Sequence, residues 1–258
     1  MMGLSILFHA IGMVTRNPGA ALRIAGLLMG VLFVLTVLLG VEFLFMGADT
    51  TEMMLAGNYP YGRTALVMLF QALATLWIAV AWHRFILTEE QPGPVMPGFN
   101  AAAILSYLWA GIIFVLVLVI VSIPFTIVTV LLAAPLMAAP GASALLGGLV
   151  LFLVLWLPLT YISYRISPIL PSAALQKRLP LKEAWYATGT SGSAFVTLAL
   201  ASVLAVWALN RPGILLSQVS GFLGFVWAFA VQWAVLLVGV SVLTTIYGHY
   251  VEKRALDA

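Results

Sequence analysis

Apolar residues run in long blocks, and the charged residues fall between them. Ile24–Val41 carries no charge over 18 positions, and past Glu42 the apolar residues continue to Met46. Ala65–Trp82 is interrupted only by Gln71, and from Gln91 to Tyr164 there is no Asp, Glu, Lys or Arg for 74 residues. A hydrocarbon core about 30 Å thick needs roughly 20 apolar helical residues, so the 74-residue run is too long for one crossing. Pro124, Pro135 and Pro140-Gly141 divide it. The pattern predicts an all-α polytopic membrane protein, a single integral membrane domain over 1–258. Its six transmembrane helices fall at about 22–46, 63–83, 102–123, 142–164, 194–209 and 222–247. Pro124 lies about 33 Å into its span at 1.5 Å per residue and is expected to end that helix. Phe125–Ala139 then becomes an outer interfacial or re-entrant segment, whose backbone needs burial in protein or access to water. Pro158 is deeper in its span and is the better candidate for a kink.

Two shorter segments carry helical periodicity of another kind. In residues 1–16 the positions Ser5, His9, Gly12 and Arg16 recur at intervals of 4, 3 and 4, a narrow polar stripe on an apolar helix. That pattern fits an interfacial helix, and equally a helix packed on the bundle. No positive charge precedes its apolar run, unlike a signal peptide. In 165–193, Pro171 and Pro180 can each open a short helix, and Leu181 and Trp185 share a face at i and i+4. This segment reads as a cytoplasmic amphipathic loop. Spans two, four and six end alike in Trp82-His83-Arg84, Tyr164-Arg165 and Tyr247-Gly248-His249-Tyr250, at spacings of 81 and 84 residues. The rhyme suggests three copies of one unit, an inner amphipathic segment followed by a helical hairpin. Gly26 and Gly30 form a small-xxx-small face that would admit a second helix.

Composition narrows the class and charge sets the orientation. Of 258 residues 64% are hydrophobic and only 7% charged, against about a quarter in soluble domains. The cytosolic enzyme, the nucleic-acid binder and the disordered chain are excluded together. The chain has no cysteine, which removes disulfides, thiolate metal sites and cysteine nucleophiles. With the N-terminus inside, the inner segments hold Arg16, Arg23, Arg84, Arg165, Lys177, Arg178, Lys182, Lys253 and Arg254, and the outer loops only Arg63 and Arg211. Positively charged loops stay cytoplasmic, so both termini are expected in the cytoplasm of a bacterium, the chain lying in its inner membrane. The first outer loop is acidic through Asp49 and Glu52, in agreement.

Candidate chemistry is sparse. Glu42, at the outer end of span one, is expected to form a structural ion pair with Arg63. Gln71 and Gln232 fall near mid-membrane by helical rise and could hydrogen-bond to each other, a pairing worth about 1 kcal/mol. Three histidines (His9, His83, His249) map near the cytoplasmic face without metal-ligand spacing. No P-loop, H-E-x-x-H or G-x-S-x-G occurs. The expectation is no catalytic residue, no metal and no cofactor. The sharpest feature is basic. Lys177, Arg178 and Lys182 lie within six residues, beside Leu179, Leu181 and Trp185. Near an anionic leaflet each basic residue is worth about 1 kcal/mol, so these residues are candidate lipid headgroup contacts, with the orientation rule as the competing account. The expected role is a non-enzymatic membrane protein that organises or senses the membrane or scaffolds a partner. Its partners would be membrane lipids, anionic ones first, and a membrane-protein partner or a second copy of the chain, with no nucleic acid. The alternative is a transporter or flippase-like protein for a lipid or apolar solute.

Ser167-Pro-Ile-Leu-Pro-Ser-Ala-Ala-Leu175, followed by Leu181-Lys-Glu-Ala-Trp-Tyr-Ala-Thr188 and a small-residue approach to span five, resembles a group of six-helix bacterial inner-membrane proteins. That group includes the integral membrane domain found beside some glycerophosphodiester phosphodiesterases. The resemblance implies the same topology, with a short helix carrying Trp and Thr between spans four and five. The phosphodiesterase activity belongs to a separate soluble barrel with metal-binding carboxylates. Nothing in this chain matches that barrel, so no catalytic residue carries over.

Overall fold

The computed structural model describes residues 2–46, 50–138, 144–189 and 191–256, and every regular element among them is helical. Asp49, Ala139, Pro140-Gly141 and the expected start of span four at 142 lie outside the described residues. Helix α1 is Met2–Arg16. The first crossing, Pro18–Leu39, consists of α2 (Pro18–Ala21), a π-helical turn (Leu22–Gly26) and α3 (Leu27–Leu39). Two short helices follow, α4 (Phe43–Met46) and α5 (Thr51–Leu55), and then α6 (Tyr61–Thr88) and α7 (Ala101–Ala138). The fourth crossing begins with α8 (Ala144–Leu151), a second π-helical turn (Phe152–Trp156) and α9 (Leu157–Ile166). After α10 (Ile169–Ala174) and α11 (Leu181–Ala187) come α12 (Gly192–Val219) and α13 (Gly221–Tyr250). Six helical stretches are long and apolar enough to cross a bilayer, and the chain is a multi-pass membrane protein.

Several boundaries differ from the sequence reading, each for a physical reason. Span one ends at Leu39 rather than 46, because Gly40 adopts the left-handed conformation (φ 63°). The Val41 amide then bonds back to the Thr36 carbonyl at 3.1 Å, closing the helix as a Schellman motif. Span three does not end at Pro124, since α7 runs to Ala138 with Pro124 and Pro135 inside it. A proline inside a helix costs about 3 kcal/mol, whereas each backbone group left unpaired in lipid costs several, so in this apolar run continuation wins. Phe125–Ala138 is therefore a continuation of the helix, not a re-entrant segment. The most apolar 18-residue stretch of α7 has no residue buried in the protein. Pro158 does mark an irregularity: the π-helical turn 152–156 lies immediately before it and absorbs the missing donor. Span five runs to Val219 rather than 209, with Pro212 inside, so Ser220 alone separates α12 from α13. Arg211 thus sits on a helix rather than in a loop. Its guanidinium lies 4.1 Å from the ring centroid of Trp207, one turn back, the cation–aromatic pairing that suits a headgroup layer. The residues between α6 and α7, 89–100, form no helix, so the second of the three expected copies lacks its amphipathic segment.

The contacts of the chain divide into two units. In the unit made of Ala10–Ile104 and Val203–Val242, Phe33 stacks on Phe225 at 5.1 Å and meets Phe229 edge-on at 5.2 Å. The fully buried Trp82 indole donates to Ser241 Oγ at 2.8 Å. The other unit comprises Met1–His9, Leu105–Ser202 and Leu243–Ala258. Here α1 docks backbone to backbone on α12. A Cβ at Gly3 would lie 2.2 Å from the Ala194 carbonyl oxygen and 2.8 Å from the Leu198 nitrogen, so glycine is what permits the approach. Of the two readings for residues 1–16, the packed helix describes Ile6 and Ala10, both fully buried. Among the described residues no second helix uses Gly26 and Gly30: a Cβ at Gly30 would meet nothing within 4 Å, and one at Gly26 only its own helix's Leu22.

Candidate lipid-binding site

The segment after α9 is less exposed than its composition suggests. Arg165 to Ala174, ten consecutive residues, are all buried. The Ser-Pro-Ile-Leu-Pro-Ser-Ala-Ala tract is therefore an internal plug, and α10 presents no exposed face. Pro168 and Pro171 fix φ over two turns and remove two donors, which lets so short a helix be buried with few orphan groups. Only α11 keeps an amphipathic character, with Ala184 fully buried and Trp185 and Tyr186 38% and 68% exposed.

Arg165, read from the sequence as one more orienting charge, is 6% exposed and joins α9 to α11. Its Nε donates to Thr188 Oγ1 at 3.0 Å, its Nη1 to Tyr161 Oη at 2.9 Å and its Nη2 to the Trp185 carbonyl at 2.7 Å. The guanidinium also lies 4.1 Å from the Trp185 ring centroid. Thr188, fully buried, has its Oγ1 within donating reach of the Ala184 and Arg165 carbonyls at 2.9 and 3.0 Å. The fork geometry of arginine, with donors fixed in one plane, suits three separated acceptors in a way lysine does not. The signals available in the sequence were modest: Tyr161 four residues before Arg165, and Trp185 and Thr188 one turn apart on a short helix. Their convergence across 23 residues was not legible.

The four residues assigned to headgroups separate in the structure. Lys177 pairs with Glu252 at 3.1 Å, and Glu252 also holds Arg254 at 2.7 Å. Lys182 Nζ lies 5.9 Å from the Tyr186 ring centroid. The Trp185 ring carries the Arg165 guanidinium over one face. Arg178 is exposed. Together with Lys177 and Gln176 it lines a cleft of about 680 Å³, within the range of ligand pockets. One wall is a single face of α7, formed by Ser106, Trp109, Ala110 and Ile113 at helical spacing. The other is the chain from Ile169 to Leu181, where Leu179 and Leu181 supply apolar surface. Gln176 holds φ at 56°, the left-handed region that disfavours a side chain by 1–2 kcal/mol. That turn, closed by the Lys177 amide on the Ser172 carbonyl at 2.9 Å, places Lys177 and Arg178 at the cleft.

The expected ion pair of Glu42 with Arg63 does not form. Arg63 Nη1 donates to the Leu39 carbonyl at 2.9 Å, because the end of α3 offers unpaired carbonyls and a negative dipole end. Ion pairs join Arg84 to Glu90 and Glu252 to both Lys177 and Arg254. Gln71 is half-buried and Gln232 exposed, and no hydrogen bond joins them among the described residues. His83 is buried within α6, whereas His249 Nδ1 lies 3.0 Å from the Arg254 carbonyl. No three His, Asp or Glu side chains gather as a metal site among the described residues. Comparison with family models, curated proteins and solved structures finds no match for the chain.

Proposed function

We propose that this chain is a non-enzymatic protein of a bacterial inner membrane, with both termini cytoplasmic, that organises or senses the cytoplasmic leaflet by binding anionic phospholipid at the segment 165–193. One observation carries the reading: a basic, ordered turn, Gln176–Arg178, borders a cleft whose remaining surface is largely apolar. Phospholipid combines those two chemistries, and a loop that served orientation alone would need no such cleft. The excess of Lys and Arg in the segments assigned to the cytoplasm supports the orientation. The buried plug and the Arg165 clasp support a fixed rather than a loose collar, a platform on which a membrane-protein partner or second copy could also assemble.

The test neutralises Lys177→Gln, Arg178→Gln and Lys182→Gln together. Six other basic residues remain in the segments assigned to the cytoplasm, so insertion is expected to be unchanged. Anionic phospholipid co-purifying with the protein, read by native mass spectrometry, is expected to fall several-fold. Unchanged bound lipid would leave these charges with orientation as their only role.

A further inference from the structure

We propose that the cleft between α7 and the 169–181 segment is a site for one anionic glycerophospholipid, its phosphate at Arg178 and one acyl chain along Trp109 and Ile113. The inference rests on the collar reading above and adds where the lipid lies and which end faces which wall. Two features of the cleft select this occupant.

The first is charge. Lys177 and Arg254 both pair with Glu252, two cations against one carboxylate, and Arg178 beside Lys177 lines the cleft with a further positive charge, so an anion is favoured over a zwitterion. Arg178 makes no hydrogen bond or ion pair among the described residues, and its planar fork can take two phosphate oxygens at once. The second is direction. From Ser106 to Ile113 the α7 wall extends about 10 Å along the helix axis at 1.5 Å per residue. A phospholipid beside a membrane span lies parallel to that span, with its phosphate at one end. The wall becomes apolar away from its polar start at Ser106, as an acyl chain requires. Gln176 also lines the cleft, and its side-chain amide can donate to the ester oxygens of a lipid, which only accept. An extended peptide would present backbone donors and acceptors along that apolar wall and leave them unpaired there.

The experiment uses the full chain, delipidated in detergent, and phosphatidylglycerol brominated on its acyl chains as a quencher of tryptophan fluorescence. Brominated phosphatidylcholine is the neutral control. The proposal predicts a saturable quenching component with phosphatidylglycerol, absent with phosphatidylcholine and absent in Trp109→Phe. Arg178→Gln is expected to raise the half-saturating lipid fraction roughly fivefold. Ala110→Phe, which fills the cleft without adding an indole, is expected to abolish the saturable component while thermal unfolding is unchanged. A saturable component that persists in Trp109→Phe would overturn the cleft assignment, as would its absence from the wild type. If the triple neutralisation still lowers co-purified anionic lipid in that case, the collar reading survives and only the cleft falls. If both measurements fail, both proposals fall, and Trp109→Phe and Arg178→Gln decide the matter even if Ala110→Phe does not fold.

Discussion

A buried guanidinium that meets neutral acceptors depends on every one of its hydrogen bonds, because no carboxylate offsets its lost hydration. Arg165 is in that position, held by Thr188, Tyr161 and the Trp185 carbonyl. Thr188→Val keeps the shape of the side chain and removes the acceptor for Nε. The expected result is a loss of about 1–3 kcal/mol, read as a lower unfolding midpoint in detergent, whereas Thr188→Ser should retain most of the stability. Equal stability of Thr188→Val and wild type would show that Nε has no need of that oxygen. Arg63 illustrates the opposite choice, since it sits at an exposed helix end and prefers the Leu39 carbonyl to a carboxylate three residues further on. Its charge was legible from the sequence. Its partner was not, because backbone carbonyls at a helix end are invisible until the helix end is known, and Gly40 rather than a polar residue sets that end.

Helix lengths in this chain follow from backbone hydrogen bonding more than from proline. The charge-free windows located all six crossings, since charge is what lipid excludes most strongly. The break placed at Pro124 failed because a stop there would have exposed unpaired backbone in an apolar environment, and α12 likewise runs past Leu209 to Val219 with Pro212 inside it. The π-helical turn before Pro158 shows how the chain accommodates proline instead: it widens one turn and continues. Glycine in helices divides the same way, by what lies opposite. At Gly3 a Cβ would collide with the α12 backbone, and at Gly30 it would meet nothing within 4 Å. Gly3→Ala is therefore expected to destabilise by about 1–3 kcal/mol and to expose the chain after Arg16 to limited proteolysis. Gly30→Ala should be neutral or stabilising by up to about 1 kcal/mol. Equal behaviour of the two variants would mean that α1 does not rest on α12. The small-xxx-small spacing alone could not distinguish these positions, because it records size and not the neighbour.

At the scale of the whole molecule, the proposed lipid site requires the 165–193 segment to lie in the headgroup layer of one leaflet. Its basic residues were legible as a cluster in sequence, whereas the burial of 165–174 was not, since serine, proline and alanine are equally at home in loops and in tight interiors. The α7 wall of the cleft was equally hidden, being an ordinary apolar helix face until Gln176–Arg178 is folded beside it. Sidedness is the claim on which the lipid assignment most depends, and the absence of any native cysteine makes it directly measurable. With Arg178→Cys as the only thiol, a membrane-impermeant maleimide is predicted to label inverted inner-membrane vesicles and to leave right-side-out spheroplasts unlabelled until they are lysed. Labelling in intact spheroplasts would place the collar on the opposite leaflet and contradict the account.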